Sequence, residues 1–104
     1  MNLSPMQSSP EYLIVSASLR SVSRSRVMAN YLADCYRREA ISPTVLNLRD
    51  VSLPFCDGET AYGHPDVPTL AKMILAARVV IVATPVYNFD VSAALKNLIE
   101  LTIG

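Results

Sequence analysis

The order of strands and helices can be followed outward from residues 12–26, which read YLIVSASLRSVSRSR. The apolar run at positions 12–15 predicts a short buried strand, and small polar residues follow it directly. Apolar residues at helical spacing begin at Val27, so a serine- and arginine-rich loop joins the end of a strand to the start of a helix. Loops in this position, at the carboxyl end of a strand, form the ligand sites of open α/β sheets.

The rest of the chain alternates the same two kinds of segment. Positions 44–48 and 79–83 predict two more strands, and helical spacing starts again at Val67 and at Ala93. The stretch 49–68, which contains three prolines, predicts a long surface connection. The resulting order, β-α-β-loop-α-β-α, predicts an α/β fold with parallel strands and right-handed crossovers.

Three local expectations follow from the same patterns. The first helix should turn one apolar stripe toward the sheet. Its members are Val27, Met28, Tyr31, Leu32, Cys35 and Tyr36. The third strand has no polar alternation, so both of its faces should be buried. Asp90 or Ser92 should cap the last helix.

Composition excludes several classes of protein. The chain has 104 residues, 51% of them hydrophobic, with nine basic and nine acidic side chains. This length suits one modest core, and the zero net charge argues against a nucleic-acid partner. Two cysteines and one histidine make a zinc site improbable and favour a reduced, cytoplasmic protein. No apolar run approaches the roughly 20 residues of a membrane span, and no signal peptide is expected.

The two ends of the chain differ in character. Residues 1–10 are polar, aperiodic and interrupted by proline, which predicts a disordered or loosely ordered arm. Residues 11–104 carry all the periodic segments and form the predicted domain. A hydrophobic content of 51% is high for so short a chain. We therefore expect these apolar side chains to belong to a larger core than these residues alone can form.

The loop at residues 16–26 has the composition of a phosphate site. It holds five serines and three arginines and leads into a helix N-terminus, where backbone N–H groups and the helix dipole favour anions. It matches neither the glycine-rich dinucleotide fingerprint nor a Walker loop, which favours a terminal monophosphate held by hydroxyl groups. On composition alone, an ordinary solvated loop is as good an interpretation. Arg26 fits a phosphate contact, a solvated helix face or a salt bridge equally well.

The loop at residues 84–90, which read TPVYNFD, follows the third strand in the same way. Its aromatic side chains could stack on a flat heterocycle, although aromatic residues more often serve packing alone. A phosphate loop and an aromatic loop on adjacent strand ends together indicate one ligand with both parts, a nucleotide-like cofactor.

These two loops resemble a known family. The pattern Ser18-Leu19-Arg20-x-x-Ser23-x-Ser25 is similar to the phosphate loop of the NADPH-dependent FMN reductases, which are flavodoxin-like flavoproteins. The segments at 84–88 (TPVYN) and 94–97 (ALKN) resemble two further motifs of that family. The forms that these two segments take in this chain are most similar to those of the flavin reductases of sulfonate-assimilation systems. The resemblance covers about residues 12–101.

The resemblance implies a fold, a cofactor and a set of contacts. The fold is a doubly wound parallel sheet of flavodoxin type, and the cofactor is FMN. Ser18, Arg20, Ser23 and Ser25 would hold the FMN phosphate. Pro85, Val86, Tyr87, Asn88 and Phe89 would line the isoalloxazine ring.

The implied activity is hydride transfer from NADPH or NADH to FMN and on to a flavin, quinone or similar acceptor, by a homodimer or homotetramer. No catalytic residue is expected, because this chemistry belongs to the cofactor. Val86, Phe89 and Ser92 depart from the family pattern near the flavin edge, which bears on the acceptor more than on FMN. Two alternatives stay open: a flavodoxin-type electron carrier, and a truncated association module that no longer binds FMN.

A flavodoxin-like sheet has five parallel strands in the order 2-1-3-4-5, and only the first three, in the order 2-1-3, are found here. We therefore expect an N-terminal portion of a protein about 1.7 times longer, or a second chain that covers the edge of the third strand.

Overall fold

Three parallel strands form the centre of the fold. The computed structural model describes residues 12–54, 56–86 and 90–103, so the predicted arm at 1–10 lies outside the described residues. The strands are β1 (Tyr12–Ser16), β2 (Thr44–Asn47) and β3 (Val79–Ala83). The helices are α1 (Arg24–Arg38), α2 (Asp66–Ala76) and α3 (Ala93–Thr102). Two short 3-10 helices, Leu48–Asp50 and Thr60–Gly63, interrupt the long connection.

The sheet has the strand order β2-β1-β3, as predicted. β1 pairs in parallel with both neighbours, and its last residue, Ser16, lies opposite Asn47 on one side and Ala83 on the other. Because β1 has a strand on each side and helices on each face, Leu13 and Ile14 are fully buried. The carboxyl ends of all three strands therefore meet at one edge of the sheet.

The helices cover both faces, which makes the sheet doubly wound. Alternate residues of a strand point to opposite faces, and Ile14 packs with Ala29 and Ala33 of α1. Leu13 points to the other face, into a larger cluster with residues of α2 and α3. That cluster consists of Leu13, Val15, Ala17, Leu46, Leu48, Leu70, Leu95 and Leu98. None of the described helices is long and apolar enough to cross a membrane.

The predicted buried stripe of α1 is wrong for half of its members. Val27, Met28 and Tyr31 are 60–69% exposed, and the fully buried positions are Ala29 and Ala33. Leu32 and Tyr36 pack beside those alanines, which gives a face with the spacing i, i+3, i+4 and i+7. Alanine lets a helix approach a sheet closely, so the two fully buried positions of α1 are its small alanines, with Leu32 and Tyr36 partly buried beside them.

The expected burial of both faces of β3 is also wrong. Ile81 and Ala83 pack against the cluster under α1, but Val80 and Val82 on the opposite face are 40% and 39% exposed. Within the described sheet β3 has β1 as its one neighbouring strand, so side chains at its outer border have fewer contacts.

One side chain fastens the long connection to α3. The Asn97 carboxamide oxygen accepts from the Cys56 backbone N–H at 2.8 Å, and its amide nitrogen donates to the Pro54 carbonyl at 2.9 Å. A loop crossing a helix leaves backbone groups without sheet partners, and the amide satisfies one donor and one acceptor of this loop.

Candidate functional site

The loop between β1 and α1 is ordered by its own serines. Ser18 and Ser23 are 3% and 7% exposed. The Ser18 hydroxyl accepts from the Arg20 backbone N–H at 3.3 Å, and the Ser23 hydroxyl accepts from the Arg26 N–H at 3.1 Å as the N-cap of α1. Serines favour such turns and caps because the short hydroxyl reaches a nearby backbone donor.

A cavity of about 640 Å³ lies between this loop and the one that follows β3. It brings together six of the nine residues predicted for the site: Ser18, Arg20, Ser23, Ser25, Pro85 and Val86. The other three, Tyr87, Asn88 and Phe89, lie outside the described residues. Val22, Arg24 and Thr84 also line the cavity and were not predicted.

The charge around the cavity is positive. Arg20 and Arg24 line it, and the first turn of α1 contains no acidic residue. The N-terminus of α1 adds the partial positive charge of its dipole. In the described part of the chain, no group of three or more histidine, cysteine, aspartate or glutamate residues could hold a metal ion. The residues that line this cavity therefore suit an anion.

Two further arginines hold the loop from outside. The Arg26 guanidinium donates to the Ser21 carbonyl at 2.9 Å and also to the Arg20 carbonyl. Arg49, just beyond β2, donates to the Leu19 carbonyl at 2.6 Å. Arg26 thus braces the backbone, a role absent from the three interpretations its sequence position allowed. Arg49 was missed, although its position after β2 places it beside the end of β1 in a 2-1-3 sheet.

The loop after β3 is tied to the first loop by Ser92. The buried Ser92 hydroxyl donates to the Ala17 carbonyl at 2.9 Å and accepts from the Leu95 N–H at 3.2 Å. Its backbone N–H donates to the Thr84 hydroxyl at 3.2 Å. Ser92 is therefore the cap of α3, one of the two predicted candidates, and it joins the ends of β1 and β3 to that helix.

The other candidate cap, Asp90, forms an ion pair with Lys96 at 2.6 Å. The hydrogen bond from Lys96, together with one from the Val91 backbone N–H, holds the pKa of the Asp90 carboxyl below its ordinary value. Both side chains are more than half exposed, so the pair adds little to stability. It links the end of the second loop to the exposed side of α3.

A smaller cavity of about 330 Å³ adjoins the larger one and shares Ser18, Arg20 and Pro85 with it. The start of α3 contributes Ser92, Ala93 and Ala94 to its lining. The combined site thus has a polar, positive part near α1 and a second part bounded by small side chains.

The reactive side chains of the long connection have local partners away from these cavities. The Cys56 sulfur lies 3.4 Å from the Tyr62 hydroxyl oxygen, and their hydrogen bond, together with the negative charge of the ionised thiol, raises the pKa of Tyr62. The Nδ1 atom of His64 accepts from the Asp66 N–H at 3.2 Å, where α2 begins.

A model of the family described as NADPH-dependent FMN reductase matches residues 10–103. The chain belongs to the NADPH-dependent FMN reductase family. The match confirms the resemblance indicated by the two loop motifs, and it extends over all of the described residues.

Individual relatives carry related names. The chain is 29% identical over 103 residues to an FMN-dependent NADH:quinone oxidoreductase of Shewanella frigidimarina, covering 86% of this chain and 52% of that protein. It is 30% identical over 89 residues to an NADPH azoreductase of a Bacillus species, covering 85% and 47%. A shorter match, 30% over 59 residues, is to an NAD(P)H-dependent FAD/FMN reductase of Geobacillus thermodenitrificans, covering 55% and 31%. The chain spans about half the length of the first two relatives.

The role of Ser92 gives a test of how the site is assembled. Replacing Ser92 with alanine removes the α3 cap and leaves the buried Ala17 carbonyl without its donor. We expect the free energy of unfolding in urea to fall by about 1–3 kcal/mol. Ser42→Ala, at an exposed position before β2, is the matched control and should change it by less than about 0.5 kcal/mol. Equal losses in the two variants would contradict the role assigned to Ser92.

Proposed function

We propose that the chain binds FMN and acts in an NAD(P)H oxidoreductase that passes reducing equivalents to a flavin, quinone or similar acceptor. The observation that carries the proposal is the larger cavity, which gathers Ser18, Arg20, Ser23 and Ser25 opposite Pro85 and Val86. Family membership supports the same assignment, because the matched region includes both loops.

The polar part of the cavity fits a phosphate monoester. Serine hydroxyls can donate to phosphate oxygens, and the exposed Arg20 guanidinium can form charge-assisted hydrogen bonds with them. The first turn of α1 has no carboxylate that would repel a dianion. Ser18 and Ser23 already shape the loop backbone, so in this proposal Arg20 and Ser25 carry more of the direct phosphate contact.

The second loop fits the flat end of the cofactor. Val86 is 68% exposed at the cavity and offers an apolar surface, next to the rigid ring of Pro85. We propose that these residues, with Tyr87, Asn88 and Phe89, line the isoalloxazine ring. The smaller cavity extends the space beside Pro85 toward α3 and would admit part of the ring or a second substrate.

Bound FMN would supply the redox chemistry, which is the transfer of a hydride from NADPH or NADH and of two electrons to the acceptor. The residues of this chain bind and orient. In the larger cavity the ionisable side chains are arginines, so the described lining supplies charge complementarity rather than an acid or base.

Two features favour a reductase over a flavodoxin-type carrier. The phosphate loop contains Arg20, and the chain has no net negative charge, whereas flavodoxins generally use a threonine- and serine-rich loop and carry an acidic surface. The three relatives are named as reductases or oxidoreductases, and their names state different electron acceptors. The proposal therefore names the electron acceptor only as a flavin, a quinone or a similar molecule.

Flavin binding and NAD(P)H oxidation test the proposal in two steps. We expect the purified chain to quench the fluorescence of added FMN, because the ring enters a protein site. With NADPH or NADH and a quinone, we expect the nicotinamide absorbance to fall faster than without protein. Quenching without NAD(P)H oxidation would indicate a carrier. No quenching would contradict both and leave the association module.

Arg20→Ala tests the phosphate end of the site. Loss of one charge-assisted contact should weaken FMN binding by about 1–3 kcal/mol. The measurement is a fluorescence titration, and Arg38→Ala in the last turn of α1 is the control, since it removes the same charge far from the loop. An unchanged dissociation constant for Arg20→Ala would argue against a phosphate in this loop.

A further inference from the structure

We propose that Arg26 and Arg49 are positioning residues: they hold three backbone carbonyls of the first loop away from the cofactor phosphate, and Arg26 thereby turns the N–H groups of Ser21 and Val22 toward it. This inference rests on the proposed function and adds to it two residues outside the family motif quoted above. It gives each arginine a role that is distinct from direct contact with the phosphate.

The observation is a run of three consecutive backbone carbonyls bound by guanidinium groups. The Arg49 guanidinium donates to the Leu19 carbonyl. The Arg26 guanidinium donates to the carbonyls of Arg20 and Ser21, the latter at 2.9 Å. Arginine side chains that only face solvent have no reason to converge on adjacent carbonyls. Together they fix the orientation of three successive peptide units. The N–H of the first unit, that of Arg20, donates to the Ser18 hydroxyl, and those of the other two belong to Ser21 and Val22.

Peptide geometry gives the consequence. In a trans peptide the C=O and N–H of one unit point in opposite directions, and no cis bond occurs in the described residues. The units held by Arg26 therefore direct the N–H groups of Ser21 and Val22 away from its guanidinium. Val22 lines the cavity, whereas Arg26 and Arg49 do not, and from this we infer that the Val22 N–H faces the space where an anion would bind.

The chemistry of a phosphate makes this orientation matter. Phosphate oxygens accept hydrogen bonds from N–H groups and are repelled by carbonyl oxygens. Successive N–H groups that converge on one point form an anion-binding concavity. By holding the carbonyls outward, Arg26 and Arg49 would prevent the loop from presenting acceptors to the dianion.

Charge adds a second contribution. Arg20, Arg24, Arg26 and Arg49 are four of the nine basic residues, yet the chain as a whole is neutral. Concentrating positive charge around one loop raises the local potential for an incoming anion. Part of the effect of Arg26 and Arg49 should therefore depend on charge alone, and part on hydrogen-bond geometry.

The two arginines differ in a way that an experiment can use. Arg26 contacts two carbonyls with two nitrogens, which needs the planar fork of a guanidinium. Arg49 contacts one carbonyl with one nitrogen, which a lysine ammonium can also do. A lysine should thus replace Arg49 well and Arg26 poorly.

The test compares FMN with riboflavin, which lacks the phosphate, in fluorescence titrations of Arg26→Ala, Arg49→Ala, Arg26→Lys and Arg49→Lys. Either alanine variant should raise the FMN dissociation constant about tenfold and that of riboflavin less than about twofold. Arg49→Lys should bind like the unsubstituted chain, and Arg26→Lys should lie between. Arg38→Ala is the control and should change neither constant.

Amide hydrogen exchange at residues 19–23 of the flavin-free chain gives a readout independent of binding. Exchange there should be faster in both alanine variants. An unchanged preference for FMN over riboflavin in the variants would overturn the inference, whether or not exchange changes, while leaving the proposed function intact. If an alanine variant does not fold, the lysine variants decide: the same preference for FMN over riboflavin in Arg26→Lys as in Arg49→Lys would overturn the inference. An unsubstituted chain without FMN binding would overturn the proposed function and this inference together.

Discussion

The site depends on one buried hydroxyl group. Ser92 donates to the Ala17 carbonyl and accepts from the first turn of α3, while its backbone N–H binds the Thr84 hydroxyl. These three contacts join the end of β1, the loop after β3 and the start of α3. Buried hydrogen bonds act in a low-dielectric environment, where losing a partner is costly, so the junction is held firmly. The separation of the two cavity-lining loops follows from it.

The second constraint is the central place of β1. Since β1 lies between β2 and β3, the loop after it has the ends of both neighbouring strands beside it. One neighbour contributes Arg49, which binds a carbonyl of the loop, and the other contributes Thr84 and Pro85, which face it across the cavity. The serine-rich loop thus follows β1 and is contacted by residues that follow β2 and β3. The proposed phosphate site at this position depends on the topology as much as on the serines.

The sequence predicted what depends on local pattern and on strand order. The strands, the helices and the two facing loops could be inferred from periodicity and from the position of each polar segment, whereas the 2-1-3 order came from the resemblance to flavodoxin-like proteins. The buried face of α1 could not, because Val27 and Tyr31 outweigh Ala29 and Ala33 in any reading by hydrophobic size, whereas close packing on a sheet favours the alanines. The contact between Arg49 and Leu19 joins residues 30 positions apart, and a local sequence pattern does not predict contacts between such distant residues. Ser92 could be predicted as a cap but not as the donor to Ala17, for the same reason.

The central claim is that the loop between β1 and α1 holds the phosphate of FMN. Phosphorus NMR of FMN, recorded during a titration with the chain, observes that group directly. The account predicts that the phosphorus resonance shifts and broadens in proportion to the quenching of flavin fluorescence. A quenched flavin whose phosphorus resonance stays at its free position would contradict it, since the ring would then bind without its phosphate.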